Sequence, residues 1–253
     1  MADVIGQATR HVTPIVALDV SDAHAAHAMV EQLGDSCDFY KVGLELFTAC
    51  GPSIVDWLRE QQKRVFVDLK LHDIPNTVRK AARSVAARGA DLLTVHASGG
   101  IEMMRAAVDG AADGSADRGA AAFNGCAILG VTILTSLDSE AAGRAWGRGP
   151  IDVQREVIRL ASETVASTAQ GLVCSGHEAA SVRSVFGERL GLLIPGIRLA
   201  GGEAHDQRRV MSPSEAARAG ARWIVLGRAV TAAADPVSEM RRVNEDLAAT
   251  HSV

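Results

Sequence analysis

Cysteine is scarce in this 253-residue chain: Cys37, Cys50, Cys126 and Cys174 lie far apart, and no C-x-x-C pair occurs. That spacing offers no disulfide framework, and a chain this long can bury a core without covalent staples. The expectation is four reduced thiols in a cytoplasmic protein. Positive charge is also in short supply. The net charge is −4, so no overall field draws the chain to nucleic acid or to an anionic membrane. Aromatic residues make up only 4 %, and Trp57, Trp146 and Trp223 are too dispersed to form a base-stacking platform. No apolar run approaches the roughly 20 residues a membrane span requires, and the N-terminus has no apolar signal-like segment. Proline- or serine-rich linkers and low-complexity stretches are missing too. The whole chain, 1–253, therefore reads as one domain.

What is present is alternation. Short β-rich apolar runs occur at Ile15–Leu18, Phe39–Val42, Val65–Leu69, Leu92–Val95, Ala127–Thr132, Gly171–Cys174, Leu192–Ile194 and Trp223–Leu226. Between them lie Ala- and Arg-rich stretches with apolar residues at steps of three and four, such as Val78, Ala81, Ala82, Val85 and Ala86. Pro75-Asn76-Thr77, Asp152 and Ser212-Pro213 are helix starts, and Gly34, Gly89 and Gly220 are helix stops. Eight strands alternating with helices predict an α/β protein built as a single (β/α)8 TIM barrel; a doubly wound open sheet has the same periodicity. Gly110–Asn124, small and Ala-rich, reads as a loose connection. Thr135–Pro150 reads as a long loop after the fifth strand, and long loops in compact domains are often lids.

The charges sit at strand ends. Asp19 ends the first run, Lys41 lies in the second, and Asp68 and Lys70 end the third. Asp68 and Lys70 are two apart, so they share one strand face. Burying that pair under helices would be costly, whereas the C-terminal mouth of a barrel is where catalytic groups converge. At about 4 Å and an effective dielectric near 20, each adjacent pair in such an alternating network contributes roughly 4 kcal/mol of Coulomb energy before desolvation. An ammonium held this way can stabilise and then protonate a developing carbanion. A second cluster lies late: Ile194-Pro195-Gly196-Ile197-Arg198 after the seventh run and Gly227-Arg228 after the eighth. Barrels often bind phosphate there, through backbone N–H groups and arginine forks.

Taken in order, these segments resemble one family, the bacterial-type orotidine 5'-phosphate decarboxylases. The signature is the run from Asp68 through Lys70 and Asp73 to Thr77. Leu-Asp19, Lys41-Val-Gly, Val95-His-Ala-Ser-Gly-Gly100, Val131-Thr-Ile-Leu-Thr135-Ser, Pro195-Gly-Ile-Arg198, Asp206-Gln207 and Val225-Leu-Gly227-Arg228 flank it, from about Ile15 to Val230. The resemblance implies conversion of orotidine 5'-monophosphate to UMP and carbon dioxide, with no cofactor and no metal. It implies that Asp19 and Lys41 hold the ribose hydroxyls, that Asp68 sits beside the substrate carboxylate and that Lys70 protonates carbon 6. Thr135 would contact the pyrimidine. Arg198, Gln207, Gly227 and Arg228 would surround the phosphate, with the Arg198–Gln207 loop closing over it. Asp73 and Thr77 would reach into the neighbouring site of a homodimer. The loop Leu199–His205 is Gly-rich but lacks a proline expected after the arginine.

Other features carry less. His24 and His27 have an H-x-x-H spacing but no third ligand nearby, so they read as solvated helix residues. His96 reads as a packing or hydrogen-bonding residue, and Cys174 as a barrel-lining thiol with no base partner. The rival reading is a magnesium-dependent sugar-phosphate decarboxylase or aldolase of the same barrel superfamily; Ile74–Thr77 and Asp206-Gln207 argue against it. A non-catalytic nucleotide-binding barrel would not need charges at three strand ends.

Overall fold

The computed structural model describes residues 12–117, 125–199 and 211–251. Eight parallel strands close into a barrel in sequence order, β1 pairing with both β2 and β8. They are β1 (Thr13–Leu18), β2 (Phe39–Gly43), β3 (Arg64–Leu71), β4 (Leu92–His96), β5 (Ala127–Val131), β6 (Gly171–Val173), β7 (Gly191–Ile194) and β8 (Ala221–Leu226). Each expected strand is present, and the closed order decides for the barrel against the open sheet. The helices among the described residues are α1 (Ala23–Leu33), α2 (Leu44–Cys50), α3 (Ser53–Glu60), α4 (Pro75–Ala87), α5 (Ile101–Asp117), α6 (Ser139–Ala145), α7 (Val153–Ala166), α8 (Gly176–Phe186), α9 (Pro213–Arg218), α10 (Arg228–Thr231) and α11 (Pro236–Ala248). No helix among the described residues is long and apolar enough to cross a membrane.

The local signals act as expected. Pro75 heads α4, Asp152 accepts the Arg155 N–H at the start of α7, and Ser212 and Glu215 form a capping box at α9. Such a cap contributes about 1 kcal/mol. Gly34, Gly89 and Gly220 all take positive φ where helices end. Two connections differ from expectation. Residues 110–117 are not loose but continue α5. Their small side chains serve close packing: a Cβ at Gly110 would lie 2.1 Å from the Arg79 carbonyl oxygen, and one at Gly114 2.2 Å from that of Arg83. Residues 118–124 of that stretch lie outside the described residues. Thr135–Pro150 contains α6, started by Asp138 accepting the Ala141 N–H.

Period-two alternation sorts the strand residues. The barrel interior is filled by Ile15 and Ala17, Phe39, Phe66, Leu92, Leu129, Leu193, Trp223 and Val225. Burying a side chain of this size contributes about 1.5–3 kcal/mol. One or two steps further along the same interior columns, the apolar filling gives way to Asp19, Lys41, Asp68, Lys70 and Thr94. The fold thus stacks a dry plug below a charged mouth.

Candidate active site

The mouth opens into a cavity of about 370 Å³. Its lining includes Asp19, Lys41, Asp68, Lys70, Thr135, Arg198, Gly227 and Arg228, drawn from the C-terminal ends of six strands. Eight residues nominated from sequence are therefore gathered around one space. Asp73 and Thr77 are not among them: both are exposed, Asp73 in the connection between β3 and α4 and Thr77 in the first turn of α4. Gln207 and the 200–206 loop lie outside the described residues.

The charged groups form a continuous chain. Lys41 Nζ lies 2.8 Å from Asp19 Oδ1 and 3.8 Å from Asp68 Oδ2. Lys70 Nζ donates to both Asp68 oxygens at 2.9 Å. The Lys41 and Asp68 side chains are only 10 % and 13 % exposed. Removing one member of such a buried set takes a countercharge from its neighbour, which must then rely on its remaining partners. Gly43 makes room for it, because a Cβ there would lie 3.0 Å from Lys41 Nζ and 3.3 Å from Asp19 Oδ1.

Two features of this centre have no counterpart in the sequence reading. Lys70 holds φ at +49°, a left-handed conformation that costs a non-glycine residue about 1–3 kcal/mol. Around it the β3–β4 ladder slips. Val67 pairs with Leu93 and Leu71 with Val95, so β3 advances four residues where β4 advances two. The second feature is Thr94, fully buried in β4. Its hydroxyl donates to Asp68 Oδ1 at 2.8 Å and accepts the Lys70 backbone N–H at 3.0 Å. A lone threonine in Leu-Leu-Thr-Val-His gives no signal of this, because Thr is common in strands for steric reasons alone.

At the opposite wall, Pro195 and Gly196 follow β7, and Gly196 needs its glycine for φ +77°. Arg198 donates from one guanidinium nitrogen to the Ile197 carbonyl at 3.0 Å, and its buried Nε has no hydrogen-bond partner among the described residues. Burial, and secondarily the neighbouring Arg228, make the Arg198 guanidinium easier to deprotonate than usual. An under-satisfied cation beside a second cation fits an anion, which would supply acceptors and countercharge together.

Cys174 lines the cavity, and burial pushes its thiol up to about 12. It is therefore a neutral wall residue, not a nucleophile. His27 stacks on Trp57 at 3.8 Å, a surface packing role. Among the described residues no three His, Cys, Asp or Glu side chains cluster so as to hold a metal ion.

His96 is the next interior residue of β4 after Thr94, and its ring lies 5.4 Å from that of His72. Burial, then His72 and Lys70, hold its imidazole below the ordinary 6.5, against a weaker opposing pull from Asp68. The unfolded chain thus binds this proton more readily than the folded one. Stability is fully present above pH 6.5 and is lost as pH falls below it. The thermal midpoint should drop between pH 7 and 5.5, and His96→Gln should flatten that drop. An identical slope in the variant would remove His96 from the titration.

Comparison with known proteins identifies the family and the fold. A family model described as "Orotidine 5'-phosphate decarboxylase / HUMPS family" matches residues 13–243. A relative named orotidine 5'-phosphate decarboxylase from Anaeromyxobacter dehalogenans is 47 % identical, covering 91 % of this chain and 96 % of its own. One of the same name from Nostoc sp. is 40 % identical over 92 % and 96 %. The crystal structure of orotidine 5'-phosphate decarboxylase from Lactobacillus acidophilus superposes with a TM-score of 0.82 at 33 % identity, covering 93 % of this chain and 99 % of that one.

Proposed function

The chain belongs to the orotidine 5'-phosphate decarboxylase / HUMPS family, and on that premise we propose that it converts orotidine 5'-monophosphate to UMP and carbon dioxide. This is the last step of de novo pyrimidine nucleotide synthesis. The observation that carries the reading is the Asp19–Lys41–Asp68–Lys70 chain, placed across one cavity from Arg198 and Arg228. A substrate with a carboxylate at one end and a phosphate at the other matches that separation of charge. Relatives named for this activity at 40–47 % identity support it over the sugar-phosphate branch of the family.

The steps follow from the groups. Phosphate binds at Arg198, Gln207, Gly227 and Arg228, and Asp19 and Lys41 take the ribose hydroxyls. Thr135 meets the pyrimidine. The substrate carboxylate then lies beside Asp68. As the bond from carbon 6 to the carboxylate breaks, its electron pair stays on carbon 6, in the ring plane, where the π system delocalises it poorly. Lys70, whose ammonium is held in place by both oxygens of Asp68, is a preorganised countercharge for that pair. Its Nζ proton then passes to carbon 6, giving UMP. Phosphate contacts remote from carbon 6 supply binding energy that helps reach the transition state. No step calls on a metal or an organic cofactor. Asp73 and Thr77 complete the neighbouring site of a homodimer.

Purified protein in EDTA should cause a rapid fall in the ultraviolet absorbance of orotidine 5'-monophosphate. No fall, followed by magnesium-dependent turnover of a ketose phosphate, would move the chain to the other branch. Arg228→Ala should weaken UMP binding about 10- to 100-fold, the effect of losing a charge-assisted hydrogen bond. Uridine, which has no phosphate, should bind both forms alike. Equal UMP affinity in the two proteins by calorimetry would take Arg228 out of the site.

A further inference from the structure

We infer that Thr94 is the positioning residue of this centre: its hydroxyl sets the placement of Lys70 relative to Asp68. The inference rests on the proposed decarboxylation and adds a residue outside the cavity lining to it. Lys70 is the one residue of β3 with a left-handed backbone, at φ +49°, and it sits inside the slip of the β3–β4 ladder. Inside that slip the hydroxyl of Thr94 accepts the Lys70 N–H, at 3.0 Å. The same oxygen donates its own hydrogen to Asp68 Oδ1, at 2.8 Å. One buried atom thus joins the backbone of the proton donor to the carboxylate that holds the donor's ammonium.

Geometry gives the link its direction. The Thr94 hydroxyl has a single hydrogen, and Asp68 takes it, so the Lys70 N–H must meet a lone pair. Asp68 meanwhile accepts from Thr94, from Lys70 Nζ and, at 3.8 Å, the charge of Lys41. Without the hydroxyl, the carboxylate loses its one neutral anchor and is held only by the lysine ammonium groups, and the strained Lys70 backbone loses a restraint. Neither change removes a group that touches substrate. The consequence falls on the geometry of proton delivery, where small displacements cost rate rather than binding.

The decisive variant is Thr94→Val, which keeps the shape and deletes the hydroxyl. Its kcat on orotidine 5'-monophosphate should fall roughly 10- to 100-fold, with KM and UMP affinity within about threefold of wild type. Thr94→Ser retains the hydroxyl and should keep most of the wild-type kcat. In a crystal structure of Thr94→Val, the Asp68 carboxylate or the Lys70 backbone should leave the arrangement described above. The inference is overturned if Thr94→Val keeps wild-type kcat, if its loss lies in KM, if Thr94→Ser is as damaged as Thr94→Val, or if the crystal structure shows Asp68 and Lys70 unmoved. The decarboxylase reading fails separately, when the wild-type protein itself does not consume the substrate; the crystal structure still decides the role of Thr94 in that case.

Discussion

Lys70→Ala is expected to lose at least about ten-thousand-fold in turnover of orotidine 5'-monophosphate, combining the loss of a general acid with that of a preorganised countercharge. UMP should still bind, because the residues proposed to contact phosphate and ribose lie elsewhere in the cavity. The variant should also fold. Asp68 would keep the Thr94 hydroxyl at 2.8 Å and the Lys41 charge at 3.8 Å, so its carboxylate is not abandoned. Alanine relieves none of the strain of a positive φ, so no compensating gain in stability is expected from the backbone. Measured kcat by absorbance, beside UMP affinity by calorimetry, separates the two roles. A variant with near-normal turnover would refute the assignment of Lys70 as proton donor. One that lost both turnover and UMP affinity would point to a collapsed site.

The barrel was legible because each strand is a short apolar run between helical stretches, and strand ends moved by no more than two residues. Asp19, Lys41, Asp68 and Lys70 were legible for a different reason. Charges are rare inside strands, so a charge at a strand's end is informative in a way that a leucine is not. The same logic explains what was missed. Thr94 looks like any β-branched strand residue, and its role comes from the ladder slip opposite it, which a single strand's sequence does not encode. Residues 110–117 looked like a loop because Gly110 and Gly114 are poor helix formers in isolation; the reason for them is the α4 backbone against which they pack. The α6 helix hid in a stretch whose apolar residues are too few to set a period. Composition reports propensity, and these three cases were decided by neighbours.

Asp73 and Thr77 pose the remaining structural question, since the signature run carries both and the cavity of one chain uses neither. The run His72–Thr77 is exposed throughout, and Ile74 has 67 % of its surface in contact with solvent. The exposed Asp73 carboxylate accepts the Ile74 N–H through Oδ1 at 2.7 Å. A stretch with an exposed isoleucine between charged and polar groups suits a contact with a second copy, and two-fold dimers present the same patch reciprocally. If Asp73 works in the neighbouring site, Asp73→Asn and Lys70→Ala are each inactive as homodimers but complementary when mixed. A heterodimer has one site carrying both substitutions and one carrying neither. Random reassortment of equal amounts should therefore restore about a quarter of wild-type activity, since half the dimers are mixed and half their sites intact. The measurement is turnover after co-expression with two affinity tags and isolation of the doubly tagged species, which should reach about half of the wild-type rate per dimer. If Asp73 instead serves its own chain, every site in the mixture carries a damaged group and the purified heterodimer stays as inactive as its parents.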